Sequence, residues 1–156
     1  MRGDFLMIIG IDPGHVKIGI AFTEGDELLF SAIVPVEKKE NLFQSLREGD
    51  FNFLGEYTCE GDLSSVLGRE PEVICLGNGT GHKEFAKELA LPVRLVNEKY
   101  SSMEARREYF RLHKPRFWQW LLPRGFWLPP RDIDDLAAFV IAKRADIGEG
   151  EIHYEF

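Results

Sequence analysis

Cysteine is scarce in this chain, with only Cys59 and Cys75 among 156 residues. The two form no Cys-x-x-Cys pair and keep no Cys/His ligand spacing, which argues against a zinc site. One pair in a chain this long is not the signature of a disulfide-stapled secreted domain. Cys75 falls in the apolar run 73–76 and is expected to be a small buried residue. No hydrophobic run reaches membrane-spanning length. The apolar stretch 5–11 is short and flanked by Asp4 and Asp12, so no signal peptide is expected and a cytoplasmic location is. Internal repeats, low-complexity tracts and interdomain linkers are absent, and the expected organisation is one domain over 1–156. A formal net charge of −7 argues against a protein that coats nucleic acid indiscriminately.

The charge is unevenly placed. Between Lys99 and Arg131 stand eight Lys/Arg against two acids, a local balance of +6 that leaves −13 for the rest. All three Trp lie in that window. A basic, aromatic segment on an acidic body implies a local polyanion-binding face. Within it, 114–130 has no clean period and carries Pro115, Pro123, Pro129 and Pro130 among Phe117, Trp118, Trp120, Phe126 and Trp127. A loop this long in a compact domain is usually functional or mobile. Its aromatics are expected to divide between anchoring the loop and offering stacking faces to unpaired bases.

Residues 6–11, 17–22 and 27–36 read as three strands with tight connections, an antiparallel meander. Short helices are expected at 41–47 and 62–67. The pattern then changes. Strand 72–76 closes on Gly77-Asn78-Gly79, helix 80–89 follows, and 92–96 is another strand. Ser101-x-x-Glu104 has the spacing of a capping box opening a helix to 113. A last helix is expected over 132–143, with Asp132 as its N-cap. Strand, helix, strand, helix makes a parallel unit.

Acidic residues stand at three element ends. Asp12 closes the first strand and Glu98 the last, while Asp134 and Asp135 open the final helix. In α/β sheets ligands gather beyond the carboxyl ends of strands. Carboxylates converging from distant stretches suit two-metal phosphodiester cleavage, in which cations activate water and stabilise the leaving oxygen. Each acid also has a plainer reading: Asp12 as a turn former, Glu98 as an exposed strand-end acid, the aspartates as favourable charges at a helix N-terminus.

The ordered motifs resemble a known family. Ile9-Gly10-Ile11-Asp12-Pro13-Gly14 with Lys17-x-Gly19-Ile20-Ala21 is similar to the opening motif of the RuvC/YqgF nucleases. Val96-Asn97-Glu98-Lys99 with Ser101, Ser102 and Ala105 resembles their Asp-Glu-Arg, Ser/Thr, Ala motif, with Asn97 and Lys99 as departures. Ile133-Asp134-Asp135-Leu136-Ala137-Ala138 resembles their closing helix. Gly77-Asn78-Gly79-Thr80 is similar to a turn in the YqgF-like domain of the Tex transcription factors. The resemblance implies an RNase H-like fold, with a mixed five-stranded sheet in the order 3-2-1-4-5 and helices on both faces. It also implies a nuclease dependent on Mg²⁺ or Mn²⁺, acting in pre-ribosomal RNA processing or Holliday-junction resolution. The implied metal ligands and catalytic residues are Asp12, Glu98, Asp134 and Asp135.

For nucleic acid, whether RNA or branched DNA, the candidate contacts are Lys17, Asn78, Thr80, Lys99, Arg107, Arg111, Arg116 and Arg124. No membrane partner is expected, and the assembly is a monomer or, for paired cuts at a junction, a homodimer. In RuvC resolvases the middle Glu ends the fourth strand, whereas here Glu98 ends the fifth. That order places it two strand spacings, roughly 9–10 Å, from Asp12. The Asn97 and Lys99 departures keep open a nucleic-acid-binding domain of this fold with weak or lost catalysis. A hexokinase-like ATPase fragment shares the opening turn but lacks room for a duplicated domain.

Overall fold

A computed structural model describes residues 6–115, 117–124, 127–146 and 150–153. The chain runs β1 (Met7–Asp12), β2 (Lys17–Glu24), β3 (Glu27–Pro35), α1 (Lys39–Glu48), β4 (Thr58–Gly61), β5 (Val73–Gly77), α2 (His82–Leu89), β6 (Val93–Val96), α3 (Ser101–Leu112), α4 (Asp134–Asp146) and β7 (Gly150–His153). The sheet has seven strands in the order β4-β3-β2-β1-β5-β6-β7. β1, β2 and β3 form the antiparallel meander, and β5 and β6 continue it in parallel with β1. These five central strands have the order that the resemblance implies.

The five-strand expectation is corrected at both edges, where β4 pairs with β3 and β7 with β6. The expected helix at 62–67 is a 3-10 turn, Leu63–Ser65, capped by the Asp62 carboxylate accepting from the Ser64 amide at 2.9 Å. Gly61, at a φ of 79°, ends β4 just before it. Another 3-10 turn, Phe117–Leu121, lies inside the predicted loop.

Alternation along the strands separates two cores, since successive side chains point to opposite faces. Ile9, Ile11, Ile18, Ile20 and Phe22 bury against Leu42, Phe43 and Leu46 of α1 and Phe85 and Leu89 of α2. Ile8, Cys75 and Val96 face Ile141, Ala142 and Ala145 of α4, and Ala21 sits with Leu136–Phe139 and with Ala105 of α3. α4 is therefore covered by the sheet on one side and by α3 on the other, which explains why it is apolar almost all round.

Its close approach depends on missing side chains. A Cβ on Gly10 would collide with the Ala138 carbonyl oxygen, and one on Gly19 with the backbone of Asp134 and Asp135. Gly19 lets the start of α4 lie directly against β2, and Gly10 lets its middle lie directly against β1. Among the described residues no helix is long and apolar enough to cross a membrane.

Candidate metal centre and nucleic-acid interface

Asp12 is the last residue of β1, paired in register with Gly19. Burial is the largest cause raising its carboxyl from 3.8 to about 7, followed by the charges of Glu98 and then Asp134. Three acids from three distant stretches therefore act on one another through space. Asp134, the first residue of α4, is also raised, chiefly by burial, while nearby Lys17 opposes the shift.

Glu98 follows β6, two strands from Asp12. Its amide donates to the Asn78 side-chain oxygen at 3.2 Å, and its carbonyl accepts from the Ser101 amide at 2.9 Å. A Cβ on Gly77 or Gly79 would meet the Glu98 carboxylate. The end of β5, lying between β6 and β1, is thus bare where the Glu98 side chain crosses it. That bare stretch is how the two-strand gap is narrowed. Glu98 Oε1 is buried and has no hydrogen-bond partner among the described residues.

An orphaned carboxylate oxygen beside two mutually repelling aspartates is a donor set suited to a hard cation such as Mg²⁺ or Mn²⁺. Among the described residues, no three His, Cys, Asp or Glu are gathered tightly enough to hold a metal ion as they stand. Asp12 and Asp134 line a cleft of about 230 Å³ with Ser102, Ala105, Arg131, Asp132 and Ile133.

Asp135 stands apart from this group. It is 0% exposed, and its Oδ1 accepts from Arg131 Nη1 at 2.8 Å while Oδ2 accepts from Ser31 Oγ at 2.5 Å. Arg131 also donates to Glu60 at 2.6 Å, and Glu60 in turn meets His113 at 2.7 Å. This chain of contacts ties α4 to β3, β4 and the end of α3. Burial alone would lower the Arg131 pKa, but its hydrogen bonds to Asp135 and Glu60 raise it. Sequence reading missed Arg131 and Glu60 because the pairing joins residues 71 apart. Asp132, expected as the helix N-cap, instead pairs with Lys17. The Ser101–Glu104 capping box does not form either. Tyr100 caps α3 in the left-handed conformation without a side-chain bond, and Glu104 accepts from Arg144 at 2.9 Å.

The candidate nucleic-acid contacts lie on several surfaces. Lys17 flanks Asp134 but is held by Asp132. Asn78 is engaged in positioning Glu98, and Thr80 is exposed on the neighbouring turn. Lys99 is exposed with its Nζ 5.2 Å from the Tyr100 ring centroid. Arg107, Arg111 and Arg124 share a groove with Arg106. Arg111 also donates to Glu108 at 2.7 Å. Arg116 and Phe126 fall outside the described residues, as does the Trp118 side chain.

No protein-family model matches the chain. A curated protein of Mycobacteroides abscessus, provisionally named as a pre-16S rRNA nuclease, is 28% identical over a stretch covering 64% of this chain. The match spans 61% of that relative's length. Among solved structures, Thermus thermophilus RuvC in complex with Holliday junction substrate aligns over 95% of this chain and 99% of its own, at 16% identity and a TM-score of 0.49. A second Thermus thermophilus RuvC structure covers 95% and 100%, again at 16% identity, with a TM-score of 0.46.

Proposed function

We propose that this chain is a divalent-metal-dependent endonuclease that hydrolyses phosphodiester bonds in structured nucleic acid. Asp12, Glu98 and Asp134 are its cation-holding residues. The supporting observation is that burial, together with the nearby charges of Glu98 and Asp134, raises Asp12 to about 7, while Glu98 Oε1 is buried with no hydrogen-bond partner among the described residues. Such a cluster is electrostatically costly until a cation offsets it. Mg²⁺ or Mn²⁺ bound there would supply an activated water and charge neutralisation at the leaving oxygen.

The chain's own groups do the positioning. The Asn78 side chain fixes the Glu98 backbone, and the bare Gly77 and Gly79 leave room for its carboxylate. Lys17 offsets part of the negative charge at Asp134. Asp135, already satisfied by Arg131 and Ser31, holds the start of α4 in place. Similarity to a protein named for pre-16S rRNA favours structured RNA over branched DNA.

A panel of single-stranded RNA, structured RNA and four-way junction, each with Mg²⁺ and with Mn²⁺, tests the reading. Asp12→Asn is expected to abolish cleavage and keep the fold. Full activity in the pure variant would overturn the assignment. A second reading, nucleic-acid binding without cleavage, is favoured by one observation: no three candidate ligands stand ready for a metal among the described residues. Binding that persists in EDTA, with no substrate cut under any condition, would select it.

A further inference from the structure

Helix α3 separates two surfaces. Ser102 and Ala105 line the acidic cleft with Asp12 and Asp134. Arg106, Arg107 and Arg111 line a different groove of about 540 Å³, whose other wall is Trp120, Arg124 and Trp127 of the segment that follows.

The groove is built rather than incidental. Trp127 is 7% exposed, and its indole N–H donates to the Gln119 carbonyl at 2.6 Å. Phe110 meets its ring edge-to-face at 5.6 Å and Trp120 does so at 5.3 Å. Arg124 lies over the same ring at 5.7 Å. Anchored in this way, Trp120 remains 60% exposed. Arg106 and Arg107 have no ion-pair partner among the described residues. Uncompensated guanidinium groups on a chain of net charge −7 call for an anionic occupant. An exposed indole beside them calls for one that also has a flat π-face. An acidic peptide satisfies the first demand but not the second. A nucleotide strand satisfies both.

We infer that this groove is a subsite for an unpaired stretch of nucleic acid, with one base stacked on Trp120 and its flanking phosphates held by Arg106, Arg107 and Arg124. The inference deepens the nuclease reading and rests on it for the choice of polymer. Bases inside a duplex already stack on one another and present only their edges, so a stacking ring selects single strands. A strand passing from the groove to the acidic cleft crosses one helix, about 10–12 Å thick. That is roughly three stacked nucleotides at 3.4 Å each. The subsite would therefore hold an unpaired segment beside the bond presented to the acids.

Fluorescence anisotropy in EDTA, with labelled 12-nucleotide RNA and DNA single strands and their blunt duplexes, tests the inference separately from cleavage. The wild type is expected to prefer single strands. Trp120→Ala should weaken single-strand binding by about 5- to 150-fold and leave duplex binding within about twofold, the stacking loss being confined to unpaired bases. Trp120→Phe should restore most of the preference, and it also serves if the alanine variant melts early. Arg107→Ala should reduce the salt slope by about 0.7.

The inference is overturned if Trp120→Ala leaves both affinities unchanged or lowers them together. It is also overturned if poly-glutamate displaces the strand as well as an oligonucleotide of equal charge does, which would identify an acidic protein as the occupant. Cleavage that survives while the single-strand preference ignores Trp120 sinks this subsite alone. A Trp120-dependent preference without cleavage of any substrate supports the subsite and sinks the nuclease reading.

Discussion

Burial and the charges of Glu98 and Asp134 hold the Asp12 carboxyl near 7, against 3.8 in an unfolded chain. The folded protein therefore keeps a proton that the unfolded one releases. Between about pH 4 and pH 7, stability without divalent ions should fall as pH rises, and above that window this contribution is flat. Asp12→Asn removes the dependence and should be more stable than wild type in EDTA at pH 8, by up to ~4 kcal/mol. Urea denaturation of both proteins at pH 5 and pH 8 measures it, and a variant no more stable at pH 8 contradicts the electrostatic account. Adding Mn²⁺ should recover the lost stability in the wild type and not in the variant.

At the neighbouring strand end, Gly79→Ala places a methyl where the Glu98 carboxylate lies. The colliding atoms are the far end of a flexible side chain, so the fold should tolerate the change. The Mn²⁺ concentration giving half-maximal cleavage should rise by about 10- to 100-fold, as for other residues that orient a metal ligand. An unchanged midpoint would mean that the seat of Glu98 does not matter.

At the level of elements, α4 presents two adjacent aspartates to different neighbours. Asp134 opens onto the acidic cleft, and Asp135 points into the Arg131–Ser31 contacts. Arg131→Ala would strand the fully buried Asp135 carboxylate and should cost about 3–5 kcal/mol in urea unfolding. The two aspartates should then separate by readout: Asp134→Asn loses cleavage at undiminished stability, and Asp135→Asn loses stability first. The reverse pattern would exchange their roles.

α3 shows the same competition between local and tertiary preference. Ser101 and Glu104 have capping-box spacing, yet Arg144 of α4 takes the Glu104 carboxylate, and the helix begins after a left-handed Tyr100. The edge strands β4 and β7 were hidden for a related reason. Each has four residues, one of them glycine, and carries little apolar alternation to read. What makes them strands is the free edge of β3 or β6 beside them.

Across the whole molecule, a net charge of −7 contrasts with the groove that gathers Arg106, Arg107, Arg111 and Arg124. Binding of single strands should therefore be confined to that groove and fall with salt. The three arginines that hold phosphates in the groove imply a slope of log K against log salt near −2, at about 0.7 per phosphate. Arg106→Glu should lower affinity sharply, whereas Lys83→Glu, outside that groove, should change it little. A slope twice as steep would mean that phosphates are also engaged elsewhere.

The order of the strands came from the family resemblance, whereas the meander and the parallel strands were legible in the sequence because hydrophobic alternation is a local property that survives in any context. The same holds for the acids at strand and helix ends and for the basic, aromatic window. Which of those acids meet was not legible. The bare end of β5 that lets Glu98 lean toward Asp12, the Arg131 partner that withdraws Asp135, and the glycines that admit α4 exist only once strands and helices are stacked. Charge interactions and steric exclusion depend on separation through space, and the chain's own spacing does not encode that separation.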